Sequence, residues 1–175
     1  MVTNEKEIMI VGIDCGLDGG ISYVDMSGKL RNVHSMPLRL AGSEVDICSL
    51  YDEFVKNMQF FDIRFSVELC QYTPALKGKS AFTFGKVCQV VEDAILLTRK
   101  QVNWVRPQEW KKHFSLIGKE KKDSVIKAIE LFPEYENVFT YKKRGGYIGI
   151  KDGLAESSLI AEYYRRVSNI SKTKV

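Results

Sequence analysis

The sequence has few residues that could build a disulfide scaffold or a thiolate metal site. Only four cysteines occur, none in a Cys-x-x-Cys pair, and only His34 and His113 could assist them. A structural zinc site is therefore not expected. We expect free thiols in a reducing, cytoplasmic setting. The cysteines are Cys15, Cys48, Cys70 and Cys88.

Long apolar runs are also missing. Charged residues interrupt the first positions at Glu5, Lys6 and Glu7, and no later stretch is long enough to span a bilayer. We therefore expect no secretory leader and no membrane partner. A hydrophobic content of 45% over 175 residues can fill one core, which predicts a single domain over residues 1–175.

Basic residues are in slight excess, with a net charge of +4, and they are clustered. Such clusters attract phosphates, although the solvated face of a helix explains a lysine run equally well. Nucleic acid is therefore one candidate partner among others. The first cluster contains Lys111, Lys112, Lys119, Lys121, Lys122 and Lys127, and the second contains Lys142, Lys143, Arg144 and Lys151.

Hydrophobic patterns predict an α/β domain whose chain opens with strands. Residues 8–13 form a nearly continuous apolar run, typical of a central strand covered on both faces, and Asp14 follows directly. Strands at 21–25 and 30–36, separated by turn residues, complete an antiparallel three-strand meander.

Later segments alternate between helix and strand patterns. Together with the meander they predict a mixed five-stranded sheet with flanking helices. We expect loose order only in the first five residues, at 141–149 and after 169. The predicted helices are 44–58, a helix from Ser80, 122–132 and 152–167, and the predicted strands are 63–69 and 102–105.

Four acidic residues are candidate metal ligands: Asp14, Glu68, Asp152 and Glu156. Asp14 ends a strand, and Glu68 lies on a strand facing away from Phe65, Val67 and Leu69 in the alternation. Asp152 and Glu156 are four apart on one helix face, where like charges repel unless a cation compensates them. Carboxylates are the ligands that Mg²⁺ prefers, and two such ions can hydrolyse a phosphodiester.

Each acid also has an ordinary explanation. Asp14 precedes a glycine-rich turn, which aspartate often starts, and Glu68 could be a solvated residue on an edge strand. Asp152 and Glu156 could simply face the positive end of the helix dipole. The four residues are therefore informative only as a set.

Five segments in order resemble RuvC-like Holliday junction resolvases of the ribonuclease H-like superfamily, and the closing one is typical of phage and chloroplast members. The opening segment alone also resembles actin-like ATPases. Cys15 departs from the family pattern, which has proline there. The segments are Gly12-Ile13-Asp14-Cys15-Gly16-Leu17, Val67-Glu68, Val105-Arg106-Pro107 with Trp110-Lys111, Lys121-Lys122-Asp123-Ser124 with Leu131-Phe132-Pro133, and residues 152–163.

The resemblance implies a homodimeric endonuclease that resolves Holliday junctions and other branched DNA, forks and flaps included. It implies that Asp14, Glu68, Asp152 and Glu156 bind two Mg²⁺ ions, with Mn²⁺ as a substitute. The helix after Ser80 would form the dimer interface, although its apolar stripe could equally pack on the sheet. A phage origin would place the protein in the host cytoplasm.

The same resemblance suggests which residues contact DNA. Tyr72 would enter the junction and stack on a base, unless it is a core residue. Lys122 ranks first among the lysines because it begins a helix, where backbone amides also attract anions. The candidates are Tyr72, Lys111, Lys119, Lys121 and Lys122. The rival functions are an RNA-processing nuclease, an actin-like ATPase and a junction-binding module without catalysis.

Overall fold

The computed structural model describes residues 5–39, 42, 44–69, 78–142 and 148–168. The main sheet has five strands in the order β3-β2-β1-β4-β5. The first three pair antiparallel, whereas β1 with β4 and β4 with β5 pair parallel. The predicted α/β class with a mixed five-stranded sheet is confirmed. The strands are β1 (Glu7–Ile13), β2 (Gly20–Asp25), β3 (Leu30–Ser35), β4 (Phe61–Glu68) and β5 (Val102–Val105).

Six helices and a small hairpin complete the described residues. The hairpin pairs β6 (Thr140–Lys142) with β7 (Ile148–Ile150) in a separate two-stranded sheet. A single 3₁₀ turn, Pro133–Tyr135, precedes α5. The helices are α1 (Ile47–Met58), α2 (Gly78–Leu97), α3 (Pro107–His113), α4 (Lys121–Leu131), α5 (Glu136–Phe139) and α6 (Asp152–Val167).

The sheet separates two apolar cores. Val11 and Ile13 of β1 point into the core formed with α1 and α2. Ile10, from the alternate set, points into the core formed with α3, α4 and α6. Because successive strand residues point to opposite faces, the even-numbered residues of β1 point toward the second group of helices. That face carries the candidate acids.

Several predicted elements match the structure within a few residues. The last helix, 152–167, is confirmed at both ends, whereas α1 begins at Ile47 because the side chain of Asp46 caps its first turn. The expectation of loose order at 141–149 is wrong at both ends of that range, since Tyr141 and Lys142 pair with β7. The suggestion that Glu68 lies on an edge strand is also wrong, because β4 is flanked by β1 and β5.

The cysteines and the length of the apolar helices were also predicted from the sequence. Cys15 and Cys48 have free thiols, as predicted, but Cys88 is disulfide-bonded, so the expectation of four free thiols is wrong. Within the described residues no helix is both long and apolar enough to cross a bilayer.

Candidate active site

The parallel pairing of β1 and β4 brings Asp14 beside Glu68. Ile13 is the partner of Val67 at the end of the β1–β4 pairing, so each acid directly follows the last residue of that pairing. Asp14 continues the face occupied by Ile10 and Gly12, and Glu68 the face of Ser66. Both carboxylates are therefore directed at the layer of α3, α4 and α6.

Glycines allow α6 to approach this sheet closely. A Cβ at Gly12 would clash with the carbonyl oxygen of Ser157 and lie 2.6 Å from the backbone nitrogen of Ala161. At the start of the helix, a Cβ on Gly153 would lie 2.7 Å from the Cα of Gly19. Only glycine fits where two backbones meet at such distances. The close approach places the first turn of α6 beside the turn that follows Asp14.

The two candidate acids of α6 are held by side chains of α3 and α4. Glu156 is buried, and its Oε1 accepts a hydrogen bond of 3.0 Å from the hydroxyl of Ser124. The ammonium of Lys111 lies 3.8 Å from the same oxygen. Asp152, which is more exposed, forms an ion pair with Lys121. Two lysines thus partly neutralise the acids contributed by the last helix.

The surroundings of Asp14 disfavour its charged form. Its pKa is raised well above the ordinary aspartate value, first by burial and then by repulsion from Glu68, Glu156 and Asp152. The charge of Lys121 opposes these effects without cancelling them. All four candidate acids therefore lie close enough to influence one another, although they come from three separate segments of the chain.

Glu68 is held by an indole. Trp110 Nε1 donates a hydrogen bond of 2.7 Å to Glu68 Oε2. Burial raises the pKa of Glu68, the hydrogen bond from Trp110 lowers it, and repulsion from Glu156 raises it further, so that the pKa lies above the ordinary value. The prediction that Glu68 faces away from Phe65 and Val67 agrees with the structure, but Glu68 is only partly exposed, because Trp110 of α3 packs against it.

The donor set fits a hard divalent cation in chemical type. Carboxylate oxygens are the ligands preferred by Mg²⁺. A cation would also relieve the repulsion between Asp14 and the neighbouring acids. In the ranges that the structure describes, no three aspartate, glutamate, histidine or cysteine side chains already converge tightly enough to hold one ion. Binding would therefore require the carboxylates to draw closer together around the ion.

The lysines predicted to contact DNA occupy different environments. Lys111 and Lys121 pair with site acids, as described above. Lys122 is exposed and pairs with Glu120 at 2.9 Å, while Lys119 is exposed in the turn before α4. Tyr72 lies outside the described residues. The structure thus separates lysines that touch the acids from lysines that face solvent.

Sequence reasoning did not assign roles to Trp110 and Ser124. Both lie inside segments that carry the family resemblance, yet neither is a usual metal ligand or a cation. The signal available for Trp110 was its type, because a buried indole needs an acceptor for its N–H. Which acceptor it finds depends on the packing of α3 against β4, and this is not visible in the sequence.

The sheet order, with helices on both faces and acids at the ends of β1 and β4, is that of a ribonuclease H-like fold. Comparison with solved structures gives the particular form, which is RuvC-like. A Thermus thermophilus RuvC in complex with Holliday junction substrate matches with a TM-score of 0.62 and 13% identity, covering 92% of this chain and 96% of the other. A second T. thermophilus RuvC structure matches with a TM-score of 0.59 and 14% identity, covering 90% and 95%.

No protein-family model and no curated protein matches the sequence. The structural likeness confirms the predicted RuvC-like fold. The phage or chloroplast branch, the cytoplasmic location and the roles of individual residues stay predictions.

Proposed function

We propose that this protein is a structure-selective endonuclease that resolves Holliday junctions and other branched DNA. The observation that carries the proposal is the gathering of four carboxylates from three segments at one end of a RuvC-like sheet. Buried like charges are costly, and a fold keeps them where a cation or substrate uses them. Phosphodiester hydrolysis by two bound Mg²⁺ ions, with Mn²⁺ as a substitute, is the chemistry that fits.

Asp14, Glu68, Asp152 and Glu156 would hold the ions. Divalent ions supply charge neutralisation at the phosphate and an activated water for in-line attack. The chain contributes the orientation of each carboxylate. Ser124 and Trp110 donate hydrogen bonds to Glu156 and Glu68, and Lys121 limits the repulsion around Asp14.

Exposed basic residues beside the acids would bind the phosphates of the DNA arms. Lys119 and Lys122 are exposed near the start of α4, and Lys151 is exposed directly before Asp152. The adjoining hairpin presents Lys142 together with Ile148, whose side chain is 72% exposed. Exposed apolar groups among lysines are typical of a surface that contacts bases as well as phosphates. Tyr72 remains the proposed wedge on sequence grounds.

A homodimer would supply the two active sites that paired incisions require. The apolar stripe of α2 around Val91 and Ile95 is buried in the core with α1 and the sheet. That face is therefore not available to a second subunit. Phe82, Leu96 and Leu97 are exposed on the same helix and are the residues we propose for the dimer contact.

The test is cleavage of end-labelled synthetic DNA with Mg²⁺, with Mn²⁺ and with a chelator. The panel contains a four-way junction, a fork, a flap, single strands and an RNA duplex. We expect paired incisions in the four-way junction that need a divalent ion, weaker cutting of forks and flaps, and no cutting of RNA. Preferred cutting of RNA would favour the RNA-processing alternative, and no cutting of any substrate would contradict the proposal.

The matched variants are Asp14→Asn and Asp52→Asn. Asp52 is an exposed carboxylate on α1, away from the site acids in sequence. Asp14→Asn should keep junction binding and reduce cleavage by about 10³-fold or more, because ion-supplied stabilisation is worth several kcal/mol. Asp52→Asn should cleave normally. Cleavage that survives Asp14→Asn would contradict the proposal, and unchanged junction binding without cleavage in the wild type would favour a binding module.

A further inference from the structure

Trp110 is fully buried, although it belongs to a short surface helix. It is one of only two tryptophans in the chain. In the register of β4 with β5, Glu68 is the partner of Val105. The chain leaves β5 at Val105 and begins α3 at Pro107, so the first turn of that helix lies over the end of β4. This connection brings the indole to Glu68.

The contact is a directed hydrogen bond and not only apolar packing. Trp110 Nε1 donates to Glu68 Oε2 at 2.7 Å, across 42 positions of sequence. An indole N–H is a donor only, so it fixes one oxygen of the carboxylate without competing as an acceptor for a cation. Since the indole carries no charge, it also adds no repulsion against an incoming divalent ion.

The next residue links the same helix to a second acid. The ammonium of Lys111 lies 5.0 Å from the centroid of the Trp110 ring and 3.8 Å from Glu156 Oε1. A cation over an aromatic face is attracted by the ring quadrupole. Trp110 therefore contacts Glu68 through its N–H and supports, through its face, the lysine that approaches Glu156.

We propose that Trp110 is a positioning residue that orients Glu68 for a divalent cation and steadies Lys111 beside Glu156. The proposal rests on the proposed function, because it assigns the orienting group of that same site. Hydrogen-bond donors around metal ligands fix ligand orientation, and their loss typically lowers metal affinity or activity by about 10–100-fold.

A purely structural role makes a different prediction. A buried tryptophan needs an acceptor, and Glu68 could serve only to satisfy it. In that case loss of the N–H would lower stability and leave cation binding unchanged once the protein is folded. Cation affinity, measured directly, separates the two roles.

The decisive variant replaces Trp110 with β-(3-benzothienyl)alanine, which keeps the ring shape and has sulfur in place of the N–H. The control places the same residue at Trp104 on β5. Binding of Mn²⁺ is measured on each full-length protein without DNA, by calorimetry and by the loss of the free-ion electron paramagnetic resonance signal. We expect about a tenfold weaker Mn²⁺ affinity for the Trp110 replacement and wild-type affinity for the Trp104 replacement.

Equal Mn²⁺ affinities in the two replacements would overturn the inference and leave the proposed function intact. If Asp14→Asn binds Mn²⁺ as tightly as the wild type does, the proposed function itself is overturned. The two failures are therefore distinguishable, because the second is read from the wild type and Asp14→Asn alone.

A second measurement keeps the inference testable should the replacement fail to fold. The two indole N–H groups of the wild type give two resonances in an ¹H–¹⁵N spectrum, assigned by replacing Trp104 with phenylalanine. We expect addition of Mg²⁺ to shift the Trp110 resonance and to leave that of Trp104 in place. A Trp110 resonance that does not move at saturating Mg²⁺ would overturn the inference.

Discussion

The two halves of α6 hold carboxylates in opposite ways. In its first half, Glu156 faces Asp14 and Glu68, and the acids repel one another. In its second half, Glu162 is equally buried but pairs with Arg165 at 2.7 Å and with Arg166 at 2.6 Å. One helix therefore carries an acidic cluster that lacks full compensation and a buried acid that is well compensated.

Asp25, at the end of β2, resembles Glu162 and not Asp14. Its Oδ1 accepts hydrogen bonds from Ser27 and from the backbone of Lys29, and Arg31 pairs with Oδ2 at 2.5 Å. Burial raises the pKa of Asp25, but these hydrogen bonds and the charge of Arg31 outweigh it, so the pKa lies below the ordinary value. Because β1 and β2 are antiparallel, Asp14 and Asp25 lie at opposite ends of the sheet.

The difference between these acids lies in what each contributes to the stability of the folded state. A carboxylate whose hydrogen bonds and charge partners are satisfied stabilises the folded state, and this is what Asp25 and Glu162 do. A carboxylate whose pKa is raised by burial and by neighbouring acids costs stability at neutral pH. The fold keeps such a group where it serves a ligand, and we propose a divalent ion.

Moving α6 away from the sheet should disturb both groups of acids at once. Gly12→Ala puts a methyl group against the backbone of Ser157 and Ala161, so the helix must shift. We expect the free energy of unfolding to fall by about 3 kcal/mol, at the upper end of overpacking costs, and cleavage to be lost. Denaturant unfolding and the junction assay measure these effects.

The control for Gly12 is Gly85→Ala in α2. A Cβ at Gly85 would meet open space, and alanine favours a helix over glycine by about 1 kcal/mol. That variant should be as stable as the wild type or slightly more stable. A Gly12→Ala protein that unfolds and cleaves like Gly85→Ala would contradict the close packing of α6.

Neutralising one acid at each end of the sheet should change stability in opposite directions. Asp25→Asn loses a charged acceptor of four hydrogen bonds, which costs about 1–3 kcal/mol. Asp14→Asn removes a repelled charge and should raise the thermal midpoint at neutral pH. Scanning calorimetry at pH 7 without divalent ions checks both. Equal destabilisation by the two variants would remove the contrast.

Lys121 and Lys122 are adjacent in sequence but pair with different acids. Lys121→Ala removes the ammonium that pairs with Asp152 and should reduce cleavage by about tenfold, equivalent to about 1.4 kcal/mol in the barrier. Lys122→Ala should weaken junction binding and reduce the slope of log affinity against log salt by about 1. An unaltered salt slope would exclude Lys122 from phosphate contact.

Glu53, on the other face of the sheet, is a third carboxylate with satisfied partners, and its contribution to stability should be small. His34 Nε2 and Glu53 Oε1 lie 2.6 Å apart, and Tyr23 also donates to Glu53. Burial lowers the pKa of His34, but the hydrogen bond and charge of Glu53 outweigh it, so the pKa is raised. The pair therefore stabilises the fold fully below the unfolded pKa of about 6.5, and this contribution is lost as pH rises through the folded pKa.

His34→Gln tests that assignment. The stability difference between wild type and variant should be larger at pH 6 than at pH 9, by up to about 1 kcal/mol for a partly exposed pair. Urea unfolding at both pH values measures it. A difference that grows as pH rises would have the wrong sign.

The sequence indicated which acids lie together around Asp14 better than it indicated the partners of the compensated acids. Asp14 and the Asp152–Glu156 pair stand in segments with a recognisable pattern, and the strand alternation gave the face of Glu68. The partners of Asp25 and the indole at Glu68 depend on tertiary packing between elements that are distant in sequence. Glu162 had a local signal, because residues three and four positions away on a helix are neighbours, and Arg165 and Arg166 occupy those positions.

The errors of sequence reasoning have similar causes. Strand alternation identifies the face on which Ser66 and Glu68 lie, but not what covers it, and here Ser66 is buried and Glu68 is partly covered by α3. The hairpin of β6 and β7 was missed because each strand has three residues, too few for a periodic pattern. The disulfide at Cys88 has no Cys-x-x-Cys signal in the sequence.

We propose that the acidic cluster around Asp14 binds a divalent ion that the compensated acids do not need. The thermal midpoints of wild type, Asp14→Asn and Asp25→Asn, measured as Mg²⁺ is titrated, test this proposal. A ligand that binds only the folded state raises its stability. We expect the midpoint of wild type and Asp25→Asn to rise with Mg²⁺ and that of Asp14→Asn to stay constant. A wild-type midpoint that does not respond to Mg²⁺, or an equal rise in all three proteins, would contradict the claim.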